Sequence, residues 1–265
     1  MYYISLCCIV KDEDEYLNEW ISYHRKIGVE QFYIYDNESK IPVTSTLANL
    51  IQEKVVVVTK ITGSAVQCEA YKLCLKKYGR KSRWIGFIDL DEFIVPKSTS
   101  GDLKRFLQDY EQYGAVGINW LMFGSSGLTE KSKEPQYKRF IYRSSESHHE
   151  NNHIKSIVQP KYTKEVVTPH SFTYSKKRHC VNENGEIIDG PFSLNSTKKI
   201  QLNHYFCRSL EEFTQKMIRG RADTIDEKEQ RKSKDFENFN KVANEVMDDS
   251  LLSILELKNA EPTSE

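Results

Sequence analysis

The chain reads as an α/β domain on a mainly parallel sheet that continues into a mixed sheet, with helices at its C-terminal end. Three observations predict this. Apolar, partly β-branched runs alternate with segments of helical periodicity through the first hundred residues, the pattern of βαβ crossovers. Those runs end abruptly in polar residues, as strands do when they deliver side chains to one edge of a parallel sheet. Beyond residue 206 the pattern turns helical and highly charged.

Taken in order, residues 1–10 are apolar but lack a basic flank and a small-residue cleavage site, and they run directly into Lys11-Asp12-Glu13. They read as a first strand rather than a signal peptide. Leu17, Trp20, Ile21, His24 and Ile27 then recur at helical spacing over residues 12–27, with acidic residues in the opening turn and Gly28 as the stop. Residues 31–35 form a second strand ending in Asp36-Asn37, and residues 55–59 a third. Residues 64–78 form a helix with Val66, Ala70, Leu73 and Cys74 on one face.

Next comes Trp84-Ile85-Gly86-Phe87-Ile88-Asp89-Leu90-Asp91-Glu92-Phe93, read as one buried central strand. In an extended chain Asp89 and Asp91 share a face, a spacing suited to one divalent cation. Carboxyls at a buried strand end need such a partner, because charge is rarely buried unpaired.

Residues 101–113 are expected to be helical, burying Leu103, Phe106, Leu107 and Tyr110, and residues 116–122 to form a strand. That strand opens into Phe123-Gly124-Ser125-Ser126-Gly127, where small residues would let a substrate approach the backbone. The polar stretch 144–153 is expected to be a mobile loop. Short runs at 155–159, 171–174 and 199–205 extend the sheet, the last ending in Asn203-His204-Tyr205. Leu210, Phe213 and Met217 form one later stripe; Phe236, Phe239, Val242 and Val246 form another. A basic hinge, Arg219-Gly220-Arg221-Ala222-Asp223, separates them. The expected organisation is a body at 1–206, a helical extension at 207–258 and a disordered tail at 259–265.

Balanced charge, 38 basic against 38 acidic residues, argues against a dedicated nucleic-acid binder and a polybasic membrane protein. No run approaches the roughly 18 apolar residues that span a bilayer. Six cysteines without Cys-x-x-Cys spacing read as reduced thiols of a cytosolic protein. Neither a dinucleotide fingerprint nor a P-loop occurs, so a phosphate site here would rely on a metal.

These features suggest a nucleotide-sugar site. Asp36 would take the base or ribose, Asp91 and Asp89 a divalent ion against the diphosphate, and His204 a third position on that ion. A neutral imidazole suits manganese better than magnesium.

The ordered blocks Val10-Lys11-Asp12-Glu13, Glu19-Trp20-Ile21-Ser22-Tyr23-His24, Gly28 through Asn37, Asp89-Leu90-Asp91-Glu92-Phe93, Phe123 through Gly127, His153 through Val158 and Asn203-His204-Tyr205 resemble family 92 glycosyltransferases. The resemblance implies a GT-A fold, a uridine-diphosphate sugar donor, often galactose, manganese with magnesium as the alternative ion, and inversion at the anomeric carbon. It makes Asp89 and Asp91 the Asp-x-Asp motif, His204 the late metal ligand and Asp36 a nucleoside contact. Lys11, Asn37, Lys155 and Arg219 join them as donor-binding residues. For the general base, related folds nominate a carboxylate near the acceptor loop, Glu130 or Glu134. His148, His149, Glu150 and His153 have spacing compatible with zinc, although their Ser/Asn-rich surroundings favour a loop. Animal members carry a membrane anchor. A chain beginning at its first strand is instead expected to be a cytoplasmic, bacterial enzyme of surface-polysaccharide assembly. Its acceptor would be a glycan or glycolipid, and its membrane contact at most peripheral. Two other classes compete: a metal-dependent nucleotidyltransferase or phosphohydrolase, and a non-catalytic sugar-binding protein of the same fold.

Overall fold

The computed structural model describes residues 1–260. Its centre is a ten-stranded sheet whose parallel half is formed by β1 (Tyr2–Val10), β2 (Gln31–Asp36), β3 (Val56–Lys60) and β4 (Ser82–Phe87), ordered β3-β2-β1-β4. Side chains of β1 alternate between two cores. Ile4, Leu6, Cys8 and Val10 enter one, Cys7 and Ile9 the other. The run is continuously apolar because helices cover both faces of a parallel sheet. α1 (Asp14–Lys26) and α5 (Leu103–Gln108) lie over the first core, and α4 (Gln67–Tyr78) over the second. Tyr71 fills the buried face of α4, whereas Leu73, expected there, is exposed.

The chain then breaks the expected strand 84–93. Asp89, Leu90 and Asp91 form a turn, closed by Glu92 N–H donating to the Asp89 carbonyl (3.1 Å), and β5 (Glu92–Val95) leaves in a new direction. β6 (Ala115–Met122) and β8 (Ile154–Val158) turn the sheet mixed, since β8 runs antiparallel between β4 and β6. β11 (Cys180–Val181) joins β6 in parallel and β12 (Ile187–Ile188) closes that edge. β13 (Gln201–His204) lies between β6 and β5. Two small pairs stand apart: β7 (Tyr142–Arg143) with β14 (Val246–Met247), and β9 (Thr163–Val166) with β10 (Phe172–Tyr174). Val246 therefore leaves the helical stripe expected for it.

The outer edge of β5 would present unpaired backbone groups, and α1 satisfies them with side chains. Trp20 Nε1 donates to the Glu92 carbonyl (2.9 Å), Tyr23 Oη to the Ile94 carbonyl (2.6 Å), and Ile94 N–H donates to His24 Nε2 (3.3 Å). Burial drives the His24 pKa down to about 3, so its imidazole is a neutral acceptor.

The stretch expected to be a mobile loop is built around a buried amide. Asn151 Oδ1 accepts from Met122 N–H (3.0 Å), and its Nδ2 donates to Ser144 Oγ (3.0 Å) and the Ser145 carbonyl (2.8 Å). The glycine loop at 123–127 also differs from expectation. A Cβ on Gly124 would lie 2.5 Å from the Ala243 carbonyl, so the close backbone approach is to the chain's own residues.

The remaining helices are α2 (Val43–Thr46), α3 (Ala48–Gln52), α6 (Gln136–Arg139), α7 (Leu210–Arg219), α8 (Ser233–Val242) and α9 (Ser250–Ala260). Leu251, Ile254 and Leu255 of α9 enter the first core beside residues of β1 and α1. Asn259 and Ala260 close α9, and residues 261–265 of the expected disordered tail lie outside the described residues.

Candidate active site

A cavity of about 620 Å³ opens at the carboxyl ends of the parallel strands. Lys11 and Glu13 reach it from the end of β1, Asn37 from β2, and Asp89 and Asp91 from the turn after β4. The far side comes from β6, β8 and β13 through Trp120, Lys155 and His204. The segment after α7, with Arg219, Arg221 and Arg231, forms a cationic wall.

The turn separates the two aspartates, which the extended reading had placed on one face. Asp89 Oδ2 accepts from Lys155 Nζ (2.8 Å) and Oδ1 from Gln67 Nε2 (2.6 Å). Asp91 Oδ2 accepts from Lys216 Nζ (2.6 Å) and lies 3.7 Å from His204 Nε2. Among the described residues no three His, Cys, Asp or Glu side chains converge as a ready-made metal cage. Asp91 and His204 do converge, a carboxylate and an imidazole being donor types that divalent cations accept, and the Asp91 oxygen that faces His204 is the one Lys216 holds. Asp89 faces Lys155 instead.

Electrostatics sharpen this division. Burial opposes the charge on Asp91, but Lys216 and His204 outweigh it and hold the carboxyl well below its usual range. Burial lowers the His204 pKa against the pull of Asp91, and His204 Nδ1 has no hydrogen-bond partner. Burial also works against the Lys155 charge, yet Asp89 and Glu92 overcome it and raise the ammonium above its ordinary value. Glu92, fully buried, is pushed well up by desolvation and anchors the turn. Its Oε2 accepts Asp89 N–H (2.8 Å) and its Oε1 accepts Trp120 Nε1 (2.7 Å).

α7 carries Lys216 and Arg219 and is locked from below. Ser209 caps it in a reciprocal box with Glu212, and Arg139 grips Glu212 with two bonds of 2.8 and 2.9 Å. Arg208 and Arg219 both reach Glu13 Oε1, at 3.0 and 3.2 Å. Lys216 escaped sequence reading because nothing in a helical stripe distinguishes a lysine aimed at a carboxylate from a solvated one. Its place in α7, three residues after Phe213, was the available signal.

Of the expected donor-binding residues, Lys11, Asn37, Asp89, Lys155 and Arg219 line the cavity. Asp36 does not. Its carboxylate accepts backbone N–H from Ser39 (3.0 Å) and Val43 (3.3 Å), so it shapes the loop after β2 and is only 4% exposed. Asn37 holds the loop after β3 by donating to the Ile61 and Gly63 carbonyls. Glu130 and Glu134 are exposed and outside the cavity, in a stretch where Lys131 pairs with Glu15. The zinc alternative weighed for His148, His149, Glu150 and His153 finds no metal-holding group among the described residues, and His153 turns to Glu150.

A polar cavity at the carboxyl edge of a parallel sheet, walled by cations and paired carboxylates, lies where α/β domains of this kind bind their ligands. The chain belongs to glycosyltransferase family 92, whose sequence model matches residues 2–255. A family 92 protein of Ricinus communis is 26% identical over 223 residues, which is 82% of this chain and 37% of the relative. One from Oryza sativa subsp. japonica is 28% identical over 162 residues, 59% of this chain and 27% of the relative. The chain thus spans about a third of the length of these relatives. Among solved structures, S. aureus TarS 1–349 in complex with UDP-GlcNAc superposes with a TM-score of 0.41 at 16% identity, over 60% of this chain and 45% of that one. No helix among the described residues is long and apolar enough to cross a membrane.

Proposed function

We propose that this domain transfers a sugar, with inversion, from a uridine-diphosphate donor to a glycan or glycolipid acceptor. The observation that carries this reading is the meeting of Asp91 and His204 beside a wall of arginines, in a chain of glycosyltransferase family 92. Asp91 and His204 would hold manganese or magnesium, which when bound neutralises charge on the leaving diphosphate. Lys216 keeps Asp91 charged and oriented, and Arg219 and Arg231 present guanidinium groups to phosphate oxygens. Asn37 and Lys11, which line the cavity beyond β1 and β2, would face the nucleoside.

For the donor sugar we propose galactose, on the family resemblance. The basic hinge around Arg219 and Arg221 would give a weak contact with an anionic membrane carrying the acceptor, screened by salt. Calorimetry with manganese tests the nucleotide: uridine diphosphate should bind more tightly than guanosine or adenosine diphosphate. Equal affinity for all three would remove the uridine assignment. Slow hydrolysis of a uridine-diphosphate sugar should accompany binding and stop on chelation.

A further inference from the structure

We propose that Glu150 is the catalytic base that takes the proton from the acceptor hydroxyl, an inference that rests on the inverting transfer above. An inverting displacement needs one carboxylate or imidazole on the acceptor side, within hydrogen-bond reach of the incoming oxygen. Sheet order defines that side. β3, β2 and β1 lie on one flank of β4 with the nucleoside-facing residues, and the turn bearing Asp91 follows β4 itself. β8 and β6 lie on the other flank, where Glu150 enters the cavity just ahead of β8. Two ring contacts separate it from the metal-facing imidazole. His153 stacks on Trp120 at 4.7 Å, and Trp120 meets His204 at 4.3 Å.

Chemistry then distinguishes Glu150 from the other carboxylates of the cavity. Glu13 is held by Arg208 and Arg219, Asp89 by Lys155, Asp91 by Lys216 and Asp223 by Arg221. A carboxylate gripped by a permanent cation is a weak proton acceptor. Asp235 accepts Lys232 N–H and Glu229 is exposed, both on the C-terminal segment. Among the described residues the Glu150 carboxylate pairs with imidazoles alone, with His153 Nδ1 3.2 Å from Oε2 and His149 Nε2 3.3 Å from Oε1. Its side chain is 25% exposed, open enough to meet a substrate. The short 3₁₀ turn His149–Asn152 that carries it is pinned by buried Asn151, so the carboxylate stands on a rigid support. Nearby, Phe192 is 53% exposed and packs edge-on to His153 at 4.6 Å, an apolar face suited to the ring of a saccharide acceptor.

In the step assigned to it, the acceptor O–H proton passes to a Glu150 carboxylate oxygen. The acceptor oxygen bonds to the anomeric carbon as the bond from that carbon to the phosphate oxygen breaks, and the bonding pair leaves with uridine diphosphate. Glu150 returns its proton to water.

The test uses water and azide as acceptors, with uridine-diphosphate galactose as donor and manganese present. Water needs deprotonation and azide does not. Glu150→Gln should bind uridine diphosphate within about twofold of wild type and lose donor hydrolysis by on the order of a hundredfold or more, the usual worth of a positioned base. Added azide should restore donor consumption in the variant and yield the glycosyl azide. Hydrolysis at the wild-type rate, or no rescue by azide despite normal nucleotide binding, overturns the role of Glu150. Wild-type protein that binds no uridine diphosphate, or binds it and never releases the sugar, overturns the transferase reading and this inference with it.

Discussion

At the scale of single residues, the floor of the site is a set of ion pairs: Asp91 with Lys216, Asp89 with Lys155, and Glu13 with Arg208 and Arg219. Asp91→Asn keeps the shape but removes the charge facing His204. Losing one electrostatic stabiliser typically costs on the order of a hundredfold to a thousandfold in rate. Both Asp91→Asn and His204→Ala should fall that far and lose the manganese-dependent tightening of uridine diphosphate seen by calorimetry. His204→Ala at the wild-type rate with manganese would sink the two-residue metal reading. Asp36 carries the opposite expectation. Because it bonds to the backbone of its own loop, Asp36→Ala should lower thermal stability by about 1–3 kcal/mol for the amides left unpaired, and weaken nucleotide binding only through that loop. Unchanged stability with lost binding would restore a direct nucleoside contact.

At the scale of elements, α1 and α7 position the site, α1 from behind β5 and α7 by supplying Lys216 and Arg219. His24 ties α1 to β5, and its pKa falls from the usual 6.5 to about 3 because the folded state keeps the imidazole out of water. A depressed folded pKa means the unfolded chain binds the proton first, so stability is full above about pH 6.5 and drains as pH falls towards 3. At about pH 5 the loss from this group should approach 2 kcal/mol, at 1.4 kcal/mol for each pH unit below the unfolded value. Urea unfolding against pH should show this slope in the wild type. His24→Gln, whose amide can make the same bonds without titrating, should flatten it; an identical slope would remove His24 from the acid response. Glu212 acts in the same direction lower down. Arg139 and Ser209 overcome its burial and hold it at about 2, so its contribution to α7 is lost only as pH drops below the ordinary carboxylate range.

At the scale of the whole molecule, the helices from α7 to α9 pack into the same body as the sheet. α9 buries Leu251, Ile254 and Leu255 in the first core, and α7 supplies Lys216 and Arg219 to the cavity. A chain ended after residue 206 should therefore lose uridine diphosphate binding and expose apolar surface. Deleting these three side chains alone forfeits roughly 5–9 kcal/mol of burial at about 1.5–3 kcal/mol each, on the order of the whole stability of a domain. Cooperative unfolding and nucleotide binding by that shortened chain would show that residues 1–206 stand alone.

The sequence by itself determined the parallel half, the strand ends that carry polar residues, the pairing of an Asp-x-Asp segment with a late histidine, and the family. Each rests on local periodicity or on ordered blocks, and both survive translation into a string of letters. Tertiary structure decided the rest. Asp89 and Asp91 diverge because Glu92, pulled inward by Trp120 and Lys155, forces a turn where alternation alone implied a strand. Asp36 turns to its own loop because the backbone amides of Ser39 and Val43 claim its carboxylate, and the polar stretch at 144–153 is ordered around Asn151 because the amide of Met122, far away in sequence, claims that side chain. Lys216 and Glu150 joined the site for the same reason. Nothing within a few residues of Lys216 records which carboxylate it will face, nor anything near Glu150 which cavity it will enter, since both depend on how segments far apart in the chain come to lie on one sheet.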